Sequence, residues 1–441
     1  MKKTTLSFIL LFSGTLQAQN LLETYQLALQ NDPVLRQSLA NKSAVNELKD
    51  QSIARLLPSV NFNAASNYLW QNQKNPFNQS PAGGAFGFTA RNNHWESRFG
   101  LNLVQPIFHW DQWVQLSQSD KQIAQAEASY RAEQQKLIVK TTQAYFAVLA
   151  AQDDLIFINS EKKSIARQLE QAQQRFDVGL IAITDVYEAQ AGYDQVRSEE
   201  IAALNAVENS KEALKEIIGS TLTELSSLGE TLPLPQPEPA EIEQWNNTAL
   251  IQNLQLLVAK TESEIIKDTI ELQRSGHYPQ IDFVGNFGMN DSSGTNWARG
   301  DTQSVGLQIN VPIFEGGAVT SRTREAEYRY IQAKENVIAT ERAVTKTVKD
   351  AYRGVMASIS RVEALKAAVK SGDSALEATE AGFDVGTRTM VDVLTATRNL
   401  KRAKSDYAKA RYDYLINGII LKNAASSLTV EDLVAINRYL K

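Results

Sequence analysis

From Val60 onward, apolar and polar residues alternate: Val60, Phe62, Ala64, Tyr68 and Trp70 interleave with Asn61, Asn63, Ala65 and Asn67. Trp95, Phe99, Leu101 and Leu103 alternate with Glu96, Arg98, Gly100 and Asn102. The pattern returns with Ile281, Phe283, Phe287 and Met289, and again with Val305, Leu307, Ile309 and Val311. A period of two sends successive side chains to opposite faces, so it predicts strands over about 58–70, 95–108, 279–290 and 303–314. Aromatics near the strand ends suit a lipid-facing sheet, although a half-buried soluble sheet alternates in the same way.

A second period governs the rest of the chain. Leu116, Ile123, Tyr130, Leu137, Ala144, Ala151, Ile158, Ile165 and Ala172 are spaced by seven and all are apolar. No glycine or proline interrupts 111–177, so a single helix on the order of 90–100 Å long is expected. Tyr330, Val337, Val344, Ala351, Ser358 and Leu365 repeat the spacing over a helix at about 318–383. Sustained heptads predict left-handed coiled-coil packing. Each long helix stops at Phe-Asp-Val-Gly, where Gly179 and Gly386 suit the left-handed residue that ends a helix. Returning helices then run over about 184–218 and 390–425, making hairpins whose tips lie farthest from the strands.

The chain is duplicated. Phe176-Asp177-Val178-Gly179 recurs as Phe383-Asp384-Val385-Gly386, about 207 residues on, and the same shift carries Asp185-Val186 onto Asp392-Val393. Gly100 to Phe108 matches Gly306 to Phe314, and Pro58 and Phe62 find Pro279 and Phe283. The first repeat covers 19–231 and the second 241–426. Each reads as a helix, two strands and two long helices. Between them, the proline-rich 232–240 reads as an extended connector, and 427–441 as a short closing helix.

Lys2 and Lys3, an apolar run from Leu6 to Phe12 and the small residues before Ala18 predict a secretory signal peptide over 1–18. Composition then narrows the function. The 45 basic and 50 acidic residues leave a formal charge of −5, which gives no nucleic-acid footprint. Without cysteine there are no disulfides, thiolate metal sites, thiol nucleophiles or lipidated N-terminal cysteine. His94, His109 and His277 lie in or beside the strand regions and read as core or interfacial residues. No Walker A loop, G-x-S-x-G or H-E-x-x-H occurs, so no enzyme, metal or cofactor is expected.

No apolar run approaches the roughly 20 residues of a membrane helix, so any crossing falls to strands. Four strands cannot close a membrane barrel, which needs about eight. Other copies must supply the remainder, and both two and three copies satisfy this arithmetic.

The chain resembles the TolC-type outer-membrane efflux proteins over essentially all of its mature length. The likeness is carried by Arg175 to Leu180 with Ala182 to Val186, by Ala381 to Thr389 with Val391 to Leu394, and by Tyr412 to Asn417 and Glu431-Asp432-Leu433. It implies a mixed α and β membrane protein: a homotrimer whose four strands per chain form a twelve-stranded outer-membrane barrel, continuous with a coiled-coil periplasmic tunnel. It further implies docking through a periplasmic adaptor to an inner-membrane efflux pump or ABC secretion transporter, exporting drugs, small molecules or proteins. The absence of cysteine sets this chain apart from lipid-anchored relatives.

The resemblance also implies a gate. Asp185 and Arg388 would form a charged link between repeats, with Thr184 beside it. Phe383 stands where the family commonly has a gate tyrosine and cannot donate that hydrogen bond. Asp392 matches a pore aspartate and would form a threefold carboxylate ring favouring cations. One turn on, Thr395 replaces the second ring aspartate of some relatives. Thr389-x-x-Asp392 also has capping-box spacing. The tips at Gly179 and Gly386 are the expected adaptor contacts. A periplasmic coiled-coil adaptor or scaffold without a barrel is the competing reading.

Overall fold

The computed structural model describes residues 18–74, 89–220, 224–293 and 299–441. The signal peptide's 1–17 and parts of both long strand loops lie outside the described residues. In chain order the elements are α1 (Leu21–Asn31), α2 (Pro33–Leu56), β1 (Ser59–Lys74), β2 (Thr89–Phe108), α3 (Trp110–Asp177) and α4 (Ile183–Ile218). The second series is α5 (Ile242–Gln252), α6 (Leu254–Arg274), β3 (Gln280–Ser292), β4 (Arg299–Asn310), α7 (Ala318–Asp384) and α8 (Met390–Ala424), followed by α9 (Val430–Asn437). The chain divides into two compact units, 42–126 with 259–337, and the remainder.

The first of these units holds a four-stranded antiparallel sheet in the order β1-β2-β3-β4. Its register keeps like with like. Val60 faces Leu103, Phe62 faces Leu101, Phe99 faces Met289, Leu101 faces Phe287, Phe283 faces Leu307 and Ile281 faces Ile309. Strand pairing therefore joins four alternating patterns into one apolar face, on which Val60, Phe62, Leu101 and Leu307 are exposed. The opposite face is polar: Asn102 donates to Asn63 at 3.2 Å and Asn286 to Ser304 at 3.4 Å. Near one end of the sheet, Tyr68 meets Trp70 and Trp95 edge-on, with ring centroids 4.9 and 5.4 Å apart. The repeats join at β2–β3, whose register shifts between Pro106 and Phe108, where proline supplies no N–H. Within the chain, β1 and β4 each pair along one edge only.

Three expectations need correction. The leading helix of each repeat is broken in two. Pro33 cannot continue α1, and Asp32 caps α2 by accepting from the Leu35 N–H at 2.8 Å. In the second repeat, Asn253 plays the same part without a proline: it accepts from the Leu256 N–H at 3.0 Å and donates to the Ala424 carbonyl. The fourth strand occupies Arg299–Asn310 rather than 303–314. Pro312 lacks a ladder donor, and Gly316 and Gly317 turn the chain at positive φ. On α7 the buried stripe runs through Val319, Ala326 and Ala333 and later through Val348, Val355 and Val362. Of the expected series Val344 and Ser358 are buried and the other four half-buried; none is exposed, but most of the fully buried positions lie on the offset rows.

In the helical unit, Tyr145 and Phe146 on α3 are fully buried. The Tyr145 hydroxyl donates to the Ser226 carbonyl at 2.8 Å. The proline-rich connector is held by Tyr414 and Trp245, which donate to the carbonyls of Pro235 and Pro239.

Candidate functional site

The two hairpin tips close with the same bonds. In the first repeat, Gly179 N–H donates to the Phe176 carbonyl and Leu180 N–H to the Arg175 carbonyl, both at 2.8 Å. In the second, Gly386 N–H donates to Phe383 at 3.1 Å and Thr387 N–H to Gly382 at 2.9 Å. Gly179 and Gly386 sit at φ 74° and 79°, and a Cβ on either would meet nothing within 4 Å. Backbone conformation, not crowding, therefore requires glycine there. Val178, Leu180 and Val385 beside them are exposed apolar residues.

Behind the tips, Ile158, Ile165 and Ala172 of α3 pack with Val186, Ala189 and Val196 of α4 and Met390, Val393 and Leu394 of α8. The approach is close at Gly192, where a Cβ would lie 3.3 Å from Leu394. Phe383 enters this cluster and is 9% exposed.

Asp185 and Asp392 occupy matching positions, each the third residue of its returning helix, yet their surroundings differ. Thr389 caps α8 and makes a full capping box with Asp392, whose Oδ2 accepts the Thr389 N–H at 2.9 Å and its hydroxyl at 3.0 Å. These bonds hold the Asp392 carboxyl below the usual carboxylate range, with a smaller contribution from Arg388. Ala182 caps α4 and has no side chain to offer, so the Asp185 carboxylate makes no such bond.

Thr184 and Arg388 are exposed and Asp185 is half-buried. Among the described residues, no ion pair joins Asp185 to Arg388 within one chain. The Arg388 side chain instead folds over Gly382, where a Cβ would come within 2.8 Å of its Cγ. Thr395, one turn beyond Asp392, is exposed on α8.

One contact between repeats went unread in the sequence. Arg175 Nη2 on α3 lies 2.6 Å from Asp384 Oδ1 at the end of α7, and its guanidinium carbon is 5.0 Å from the Phe383 ring centroid. The signal available was an asymmetry in the duplication: where the first repeat has Arg175 before the Phe-Asp-Val-Gly turn, the second has Gly382.

The arrangement can fasten or release helix ends and present carboxylates at helix starts. Among the described residues, no group of three or more His, Asp or Glu could hold a metal ion. His109 hydrogen-bonds Asp282 at 3.0 Å. No described helix is long and apolar enough to cross a membrane.

A family model described as outer membrane efflux protein matches residues 24–220 and 245–426. Outer membrane protein TolC of Vibrio cholerae is 39% identical over 450 residues, covering 100% of this chain and 99% of the relative. The alkaline protease secretion protein AprF of Pseudomonas aeruginosa is 27% identical, covering 97% and 88%. Among solved structures, the CmeC outer membrane channel of Campylobacter jejuni superposes with a TM-score of 0.77 at 18% identity, covering 96% of this chain and 90% of its own.

Proposed function

Because this chain belongs to the outer membrane efflux protein family, we propose that its hairpin tips are the gate of an outer-membrane exit duct. The duct is a homotrimer, in which the open edges of β1 and β4 pair between copies to complete a twelve-stranded barrel in the outer membrane. Its helices extend into the periplasm and meet an inner-membrane transporter through an adaptor, serving efflux and type I secretion. The duct is a passage.

At the tips, Asp185 of one copy and Arg388 of another close the passage, with Thr184 beside them. What supports this is that, among the described residues, no ion pair is made by Asp185 or Arg388 inside the chain, Arg388 having only a weak attraction to Asp392, whose carboxylate is engaged by Thr389. Three copies of Asp392 ring the axis and favour cations. The capping bonds support the ring role, since they keep that carboxylate ionised and fixed in direction. Exposed Val178, Leu180 and Val385 around Gly179 and Gly386 offer the adaptor a small apolar contact.

The observation that carries the reading is the single apolar face running through all four strands, with partner edges left at β1 and β4. Fractionation tests it: the protein should appear in outer membranes as a heat-modifiable trimer and conduct ions in planar bilayers. A soluble periplasmic product would overturn it in favour of an adaptor or scaffold.

A further inference from the structure

We propose that Arg175 is a positioning residue of the closed gate, a clasp that ties the end of α3 to the end of α7 through Asp384 and the face of Phe383. The inference rests on the gate reading above and adds a contact within each protomer.

The clasp arises where the two repeats differ. Asp177 and Asp384 are repeat mates, each the last residue of its long helix. One turn back on α3 stands Gln173, whose amide donates to Asp177 at 2.9 Å, so that carboxylate is satisfied by its own helix. One turn back on α7 stands Glu380, an acid that has no proton to donate and repels at this spacing. Asp384 must look outside its helix for a partner. Arg175 supplies it, and the second repeat's equivalent of Arg175 is Gly382, so the bond forms in one direction only.

Phe383 fixes the geometry. Its ring is 9% exposed and set in the α3/α4/α8 seam, and the guanidinium lies over its face at 5.0 Å. A planar cation resting on a held ring loses little further freedom when it meets a carboxylate. The Arg175 side chain is 30% exposed and that of Asp384 65%, so water competes for both charges. A pair of this kind changes an equilibrium by about five-fold. That is weak enough to open, and three clasps released together amount to about a hundred-fold. The ring that lacks the family's tether hydroxyl thus serves as the seat of a different tether.

The test uses the full-length trimer in planar bilayers, scoring only variants that migrate as heat-modifiable trimers. Arg175→Ala and Asp384→Ala should each raise resting conductance by on the order of ten- to a hundred-fold. Arg175→Lys, which keeps the charge without the planar fork, should fall between them and wild type. The exchange Arg175→Asp with Asp384→Arg should recover part of the closed state. Wild-type closure in both alanine variants, or no recovery in the exchange, overturns the clasp. Arg388→Ala separates the two levels: if it opens the channel while Arg175→Ala does not, the gate stands and the clasp fails; if neither changes conductance, the gate reading itself has failed.

Discussion

The Tyr412 hydroxyl on α8 donates to the Asp153 carboxylate on α3 at 2.6 Å, and the Tyr412 ring stacks on Phe146 with centroids 5.4 Å apart. Burial pushes the Asp153 carboxyl up, opposed by this hydrogen bond and by Arg411. Between the ordinary carboxylate value and the raised one, the folded chain therefore binds a proton that the unfolded chain has released. Stability from this group falls as pH rises from the ordinary carboxylate range through the raised value. Tyr412→Phe removes the main opposing bond and leaves a half-buried carboxylate with only the Arg411 charge nearby, at a cost of about 1–3 kcal/mol near neutral pH. The loss should shrink at acid pH, as Asp153 takes up its proton. Thermal unfolding of the variant and wild type at both pH values checks this, and an equal loss at both would remove Asp153 from the account.

Adjacent residues on β1 should respond oppositely to the same substitution. Phe62 lies on the apolar face and Asn61 on the polar one. An arginine on the lipid side of a membrane sheet costs about 2–4 kcal/mol at the bilayer midplane, whereas luminal positions tolerate charge. Phe62→Arg should sharply reduce the yield of heat-modifiable trimer, and Asn61→Arg should assemble while altering ion selectivity. Equal assembly of the two variants would place lipid on neither face.

Why the strands were readable and the clasp was not follows from the range of the forces involved. Alternation around Phe62 and Phe287 is a local consequence of the pleat, and the register preserves it because a one-residue slip would turn every apolar side chain over. The α3 heptads were readable for a similar reason: none of the nine positions from Leu116 to Ala172 is exposed, and Leu137, Ile158, Ile165 and Ala172 are buried. On α7 the packing moves to Val348, Val355 and Val362 because neighbouring helices choose among several apolar rows, a choice that no single-helix pattern contains. The break at Asn253 lacks the proline that marks Pro33, and its cap depends on Ala424, far along the chain. Arg175 and Asp384 look like ordinary helix-end charges until the fold sets them side by side. Their only trace was the mismatch of Gln173 with Glu380 and of Arg175 with Gly382 between repeats.

The proposed ring gives Asp392 a second role, separable from the first. As part of the capping box it holds the first turn of α8, and as a carboxylate of the proposed threefold ring it would attract cations. Asp392→Asn removes the charge and keeps an acceptor for Thr389, so it should abolish cation selectivity and block by trivalent cations while α8 stays closed to exchange. Asp392→Ala should lose both, with faster amide exchange at the start of α8. Bilayer reversal potentials and hydrogen exchange read the two effects independently. Selectivity surviving in the asparagine variant would leave the residue with capping alone.

Gly382 connects Arg388, one of the two proposed gate charges, to the backbone of α7. Its missing Cβ lets the Arg388 side chain fold back across the end of α7, and an added methyl would lie 2.8 Å from the Arg388 Cγ. Gly382→Ala therefore moves the guanidinium while leaving its charge in place, and resting conductance should rise by less than in Arg388→Ala. Asp185→Ala should match Arg388→Ala, and the double variant should conduct no more than either alone, because one shared link can be lost only once. If the two single effects multiply in the double variant, Asp185 and Arg388 act on closure separately. Single-channel recordings of the four trimers at one voltage and one salt concentration decide between these outcomes.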